Sequence, residues 1–256
     1  MQAGVQKPAS LWLRLCVAAL ATTQIQAACA YSPPPVPSSG QGADTLGDGR
    51  MSVGIEGGYG TSASWWNASN MTDVDLNSQW LGAARMRRGL HPNLDLGVVG
   101  GIGPQSTFVL GPELKWRFGH LAAPEADGPA FHAAWVTGLG VGASNDYDRE
   151  SGEEARDVFL APYTGVLGSG GIREVQMYVG FRFAASDTFF DETDDLTLYP
   201  ILQFGLVLRP AEHWTLFVES DLAGGLTTVD FGDSALMFYP SAGVSFAWGG
   251  GDSRVR

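Results

Sequence analysis

Between residues 50 and 248 the chain alternates in polarity, segment after segment. Met51, Val53, Ile55 and Tyr59 share one parity, and Ser52, Gly54, Glu56 and Gly58 share the other. Phe108, Leu110, Leu114, Trp116 and Phe118 alternate with Val109, Gly111, Glu113, Lys115 and Arg117. The same rhythm returns in Leu198–Leu208 and in Leu236–Trp248. A period of two belongs to β-strands, whose successive side chains leave opposite faces of a pleated backbone. Ten strands are predicted, at 50–60, 78–88, 93–102, 106–118, 131–143, 157–168, 174–186, 196–209, 214–223 and 235–248. Tight turns around 88–93 and 209–213 contrast with longer polar connections at 61–77, 144–156, 187–195 and 224–234. Pro112, Pro162, Pro200 and Pro240 fall inside strands, and each is expected to cost one ladder bond. No stretch after residue 48 approaches the 18 apolar residues of a spanning helix.

The two faces are unequal, and this decides where each points. One carries five to seven bulky apolar side chains per long strand, and ten such strands would overfill the interior of a closed barrel. The other is mostly Gly and Ala with isolated charges, which makes a poor coat against water. With the bulky face turned to lipid and the small face turned inward, both find a suitable place. The expected fold is therefore all-β: a closed antiparallel up-and-down transmembrane β-barrel of about ten strands, at residues 49–248. Closure follows because lipid supplies no hydrogen-bond partner for a free sheet edge. A soluble β-barrel or sandwich is the competing architecture.

Composition agrees. The 256 residues are 45% hydrophobic but only 16% charged, with 35 glycines, and 27 acidic groups outnumber 15 basic ones. A soluble domain carries about 25% charged residues. The acidic balance offers no basic patch for a nucleic-acid backbone. Much of the negative charge lies in the connections, so the shortage of charge belongs to the strands.

Residues 1–30 read as a secretory signal: Lys7 and Arg14, an apolar stretch from Leu15 to Ala21, then small residues to Ala30. Two processing sites compete. Ala28-Cys29-Ala30 is an A-x-A site that would start the mature chain at Tyr31. Alternatively, Gln26-Ala27-Ala28-Cys29 resembles the lipobox of bacterial lipoproteins, which would make Cys29 a lipidated N-terminus. Cys16 leaves with the signal, so no intramolecular disulfide is expected. Residues 31–48 form a Pro/Ser/Gly-rich tether, and residues 249–256 form a polar tail.

With its secretory start, ten alternating strands, unequal turns and an aromatic last strand ending in Phe246 and Trp248, the chain resembles the small bacterial outer-membrane β-barrel proteins over residues 50–248. The resemblance implies periplasmic termini and short turns, outward long loops, and aromatic girdles. Trp116, Phe118, Trp214, Phe246 and Trp248 would sit at the inner interface, and Tyr59, Trp65 and Trp66 at the outer one. It also implies membrane lipid, lipopolysaccharide and the barrel-assembly machinery as partners, with a monomeric state. In that family the last strand usually ends the chain; here a tail follows it.

Parity places Glu56, Arg85, Arg87, Glu113, Lys115, Arg117, Arg182 and Glu219 on the lumen face. They form either the lining of a small porin-like channel or a set of internal ion pairs that plugs the bore, and the mixed signs favour the plug. Asp146, Asp148, Asp191, Asp194 and Asp195 sit in acidic loops that are weak Ca²⁺ candidates, without EF-hand spacing. His91, His120 and His213 fall in predicted periplasmic turns, and His132 at the periplasmic start of its strand. Barrel enzymes of the omptin protease and palmitoyltransferase families work near the outer rim, where this chain offers no histidine. Glu219 and Asp221 alone make weak catalytic evidence. No enzyme, no metal site and no cofactor is expected. The expected role is structural or surface-binding, through the polar loops of a plugged barrel.

Overall fold

The computed structural model describes residues 41–65, 74–103, 107–122, 128–147, 154–188, 196–227 and 234–249. They form ten strands: β1 (Arg50–Trp65), β2 (Val74–His91), β3 (Leu94–Ile102), β4 (Phe108–Ala122), β5 (Ala130–Tyr147), β6 (Glu154–Gly171), β7 (Val175–Thr188), β8 (Leu196–Ala211), β9 (Trp214–Thr227) and β10 (Ser234–Gly249). Each pairs antiparallel with its chain neighbours, and β1 pairs with β10, so the sheet closes on itself. The expected barrel is the observed one.

The strands overrun the alternating segments mainly at the end opposite the barrel's two termini. There pairing continues after the two-residue polarity pattern has faded. We call this the far end, and the end where β1 begins and β10 finishes the near end. Tight connections at 92–93 and 212–213 lie at the near end.

Register fixes the bore. Carried once round through Arg87, Gly97, Glu113, Gly138, Tyr163, Ala184 and Tyr199, then through Gly225 and Ala235, the pairing that starts at Ser52 returns to β1 at Ser64, displaced by 12 residues. With ten strands this stagger implies a tilt of about 40° and a backbone radius of about 10 Å. Inward side chains of ordinary length meet across such a space. At that tilt each residue rises about 2.5 Å along the axis, so the nine residues of β3 rise about 22 Å, close to the height of an apolar band of about 25 Å.

The outer surface is apolar around the whole circumference. Ile55, Trp80, Val98, Leu110, Trp135, Val166, Phe181, Phe204, Val218 and Phe238 all stand exposed there. Thr164 interrupts this face, and its hydroxyl accepts the Trp135 indole N–H at 2.6 Å. Near-end aromatics gather outside as well: Trp214 and Phe246 have ring centroids 5.0 Å apart, and Phe246 and Trp248 are 6.0 Å apart. Tyr59 is exposed toward the far end. Trp66 and the side chain of Trp65 lie outside the described residues. Such a belt, with no charge at its middle, makes the chain a membrane β-barrel.

The four strand prolines behave as expected of residues without an N–H. Each keeps continuous pairing with one neighbour, and the ladder on its other side skips that position without changing register. The skips fall between Leu110 and Glu113, Leu160 and Tyr163, Leu198 and Ile201, and Phe238 and Ser241.

Inside, glycines make room for rings. Tyr163 lies over its cross-strand partner Gly138, Tyr178 over Gly205, Phe159 over Gly142 and Phe217 over Gly243. A Cβ at any of these glycines would come within 2.5 Å of the ring. Part of the glycine richness is thus a packing requirement of a narrow, filled lumen.

Candidate functional site

The lumen is filled in layers, and its near end holds a segment of chain that is not a strand. Residues 41–46 run into the barrel mouth, with Gln41 and Ala43 buried. The sequence assigns these residues to a tether; here their backbone is held by the wall. Lys115, 1% exposed, donates to Gln41 Oε1 at 3.2 Å, to the Gly42 carbonyl at 2.6 Å and to the Asp44 carbonyl. The Ala43 N–H donates to Ser169 Oγ at 3.0 Å, and the Leu46 N–H to the Asp95 carboxylate at 3.1 Å. Thr45 donates its hydroxyl to the Pro92 carbonyl at 2.6 Å, and the Asp44 carboxylate pairs with Arg209. Gln41 Nε2 reaches Glu113 Oε1 at 3.1 Å.

Burial pushes the Asp44 carboxyl upward, but Arg209, then Lys115, His132 and Arg87, draw it down further, to about 2. Ordering six residues costs on the order of 10 kcal/mol. Eight polar contacts at about 1–2 kcal/mol each contribute a sum of the same order. The segment is held by near balance.

Deeper in, opposite charges meet. Arg85 Nε lies 3.3 Å from Glu113 Oε1 and its Nη1 3.9 Å from Glu56, while Arg87 Nη1 lies 3.3 Å from Asp95. Tyr163 donates to Glu113 Oε2 at 2.8 Å, and the Arg182 guanidinium sits 5.5 Å from the Tyr163 ring centre. Across the bore, Tyr178 donates to Glu219, and Gln203 Nε2 lies 3.3 Å from both Glu219 Oε1 and Asp221 Oδ1. A cleft lined by Ser52, Glu56, Ala83, Arg85, Arg87 and Phe217 opens beside this layer. Toward the far end the filling turns apolar, with Ile201, Met237, Tyr199, Tyr239 and Ala223 all buried.

Of the residues that parity assigns to the lumen, Glu56, Arg85, Arg87, Glu113, Lys115, Arg182 and Glu219 point inward and, apart from the half-buried Glu56 and Arg87, are buried. Arg117 shares that parity but sits at the mouth, where it binds the β2–β3 turn through Asn93 Oδ1 at 2.8 Å and the Pro92 carbonyl at 3.0 Å. Asp95, Gln203, Asp221 and the lumen tyrosines complete the layers; they carry the same parity, but only tertiary pairing shows which group each one meets. Residues 41–46 gave no signal at all, being small, polar and without period.

His120 is placed by a bulge. The β4–β5 register shifts between Arg117 and Gly119, which brings His120 opposite His132, with the two Nδ1 atoms 3.1 Å apart. Strict alternation would have sent it outward. Among the described residues no group of three or more His, Cys, Asp or Glu is arranged to hold a metal ion. Asp148, Asp191, Asp194, Asp195, the Asp146 side chain and Cys29 lie outside the described residues, as do residues 1–40 and 250–256.

No protein-family model matches the chain, and no curated protein does. Solved structures do. The outer-membrane protease OmpT of Escherichia coli aligns with 10% identity and a TM-score of 0.39, over 80% of this chain and 100% of that one. An outer-membrane channel of Pseudomonas putida aligns with 12% identity and a TM-score of 0.47, over 80% and 98%. The N-terminal β-barrel domain of Pseudomonas aeruginosa OprF aligns with 13% identity and a TM-score of 0.33, over 77% and 97%. The resemblance to small outer-membrane β-barrels is one of architectural class.

Proposed function

We propose that this protein is a bacterial outer-membrane β-barrel whose lumen is closed, and that it serves a structural or surface-binding role through its far-end connections. The near end then faces the periplasm and the far end the cell exterior. One observation carries this reading. A cross-section near the middle meets Arg85, Glu113, Tyr163, Arg182, Gln203 and Glu219, all buried and each in contact with a polar or aromatic partner on another strand. A conducting pore needs a continuous water path past its charged lining, whereas these groups are spent on one another. The connections at 148–153 and 189–195, with Asp148, Glu150, Glu153, Asp191, Glu192, Asp194 and Asp195, give the rigid scaffold an acidic outer surface to present. The reading assigns no reaction to the protein.

Planar-bilayer recording with purified protein tests it. The expected result is a silent membrane; discrete, reproducible openings would overturn the closed lumen in favour of a porin-like channel. Placement has its own test: the protein should pellet with carbonate-washed outer membranes and migrate differently on gels when heated. Recovery in the soluble periplasmic fraction would refute it.

A further inference from the structure

We propose that the near-end vestibule is a binding site for an extended acidic peptide, and that residues 41–46 occupy it in cis. The site reads backbone. Lys115 takes the carbonyls of Gly42 and Asp44, two residues apart, as an extended chain offers them on one edge. Ser169 Oγ and the Asp95 carboxylate accept the N–H groups of Ala43 and Leu46. One side chain is recognised by charge, Asp44 by Arg209. One position is limited in size: a Cβ at the buried Gly42 would already touch the wall at Ser169 Cβ and Gln176 Oε1, both at 3.4 Å, so a side chain larger than a methyl would have to displace them. The preferred ligand is therefore a small residue followed, two positions later, by an acidic one.

The same features make the occupant replaceable. Its hold is polar, and Ala43 is the buried apolar side chain that it contributes. Were the segment to leave, Lys115 would lose its acceptors on Gln41, Gly42 and Asp44 and would add its charge to those of Arg87 and Arg209 at the open mouth. A small oxyanion could meet the cations but would leave Ser169 Oγ and Asp95 Oδ1 without the N–H donors they have here, Asp95 keeping Arg87 at Oδ2; a second peptide meets both the cations and the acceptors. The vestibule opens at the near end, so with the orientation proposed above the partner is an acidic, small-residue segment of a periplasmic protein. The chemistry of the site does not depend on that orientation, and detergent-solubilised protein tests it separately from conductance or location.

Fluorescence anisotropy of a labelled peptide reproducing residues 41–47, added to full-length protein, provides the test. In the wild type the tethered segment competes at an effective concentration on the order of millimolar, so binding in trans should be weak. Asp44→Lys sets a cation against Arg209 and Lys115, and should tighten peptide binding at least tenfold. In that background, Asn in the peptide at the position of Asp44 should weaken binding at least tenfold, and a further Lys115→Met should abolish it. If Lys115→Met fails the heat-modifiability check for a folded barrel, Ser169→Ala replaces it, with at least threefold weakening expected. The proposal falls if Asp44→Lys binds the peptide no better than wild type, or if the Asn peptide binds equally well. It also falls if inorganic phosphate displaces the peptide as effectively as unlabelled peptide does.

Discussion

Gly138→Ala should destabilise the barrel far more than an alanine in a strand ordinarily does. The added Cβ would sit 2.4 Å from Tyr163 Cζ and 2.5 Å from its Cε1 and Oη. Ordinary contact begins near 3.4 Å, so the ring must retreat by about 1 Å. Its hydroxyl donates to Glu113 Oε2 at 2.8 Å, and a retreat of that size breaks the bond. Overpacking costs about 1–3 kcal/mol, and a lost hydrogen bond to a buried carboxylate about 1.5–3 kcal/mol. The backbone entropy recovered by replacing glycine offsets about 0.5–1 kcal/mol. The net expectation is about 2–4 kcal/mol, read from reversible urea unfolding in lipid vesicles. Gly57→Ala is the control: its Cβ would meet only the Leu81 carbonyl oxygen, at 3.8 Å, and the change should stay within about 0.5 kcal/mol. Tyr163→Ala closes a double-mutant cycle. If Gly138 matters because the ring lies on it, the double variant should be less unstable than the sum of the singles by at least about 1 kcal/mol. Additive effects, or a Gly138→Ala variant as stable as Gly57→Ala, would refute the reasoning.

Other outcomes follow from the same geometry. Val98→Arg places a charge midway along β3 on the exposed apolar face, and should cost about 2–4 kcal/mol in a bilayer; a neutral effect would mean that face meets water. Removing one member of the buried Arg85–Glu113 pair, as in Arg85→Met, should cost about 3–5 kcal/mol, and pairing it with Glu113→Leu should recover most of the loss. If the double variant is the less stable of the two, the ion pair is not the source. The Asp44 carboxyl, held at about 2 against an ordinary 3.8, stabilises the inserted segment above about pH 4, and that contribution of about 2–3 kcal/mol is lost as pH falls toward 2. The protection of the Ala43 and Leu46 amides, taken relative to the intrinsic exchange rate at each pH, should therefore fall in acid, a loss that Arg209→Ala should remove. Protection factors unaltered between pH 5 and 2.5 would count against the Asp44–Arg209 contact.

The fold was legible because its physical cause is written locally. A two-residue period with one bulky face and one small face sends the rings to lipid and the glycines inward, and all ten strands follow from that alternation. Parity also sorted the interior: Arg85, Glu113 and Lys115 face inward for the same reason that Leu110, Leu114 and Trp116 face outward. Alternation, however, is blind to stagger. Whether Arg85 meets Glu113 or Glu56, whether Tyr163 rests on Gly138, and how wide the bore is all depend on the 12-residue shear that accumulates around the closed sheet. It is equally blind to irregularity, so the bulge that carries His120 to His132 could be known only from the paired strands. Residues 41–46 mark the limit most clearly. As sequence they are small, polar and aperiodic, with no force of their own toward any conformation. Their place is set by a buried ammonium, a hydroxyl and two carboxylates contributed by strands remote in the chain, which meet only after the barrel has closed. The sequence by itself determined which way the side chains of the regular strands face; closure decided which side chains meet.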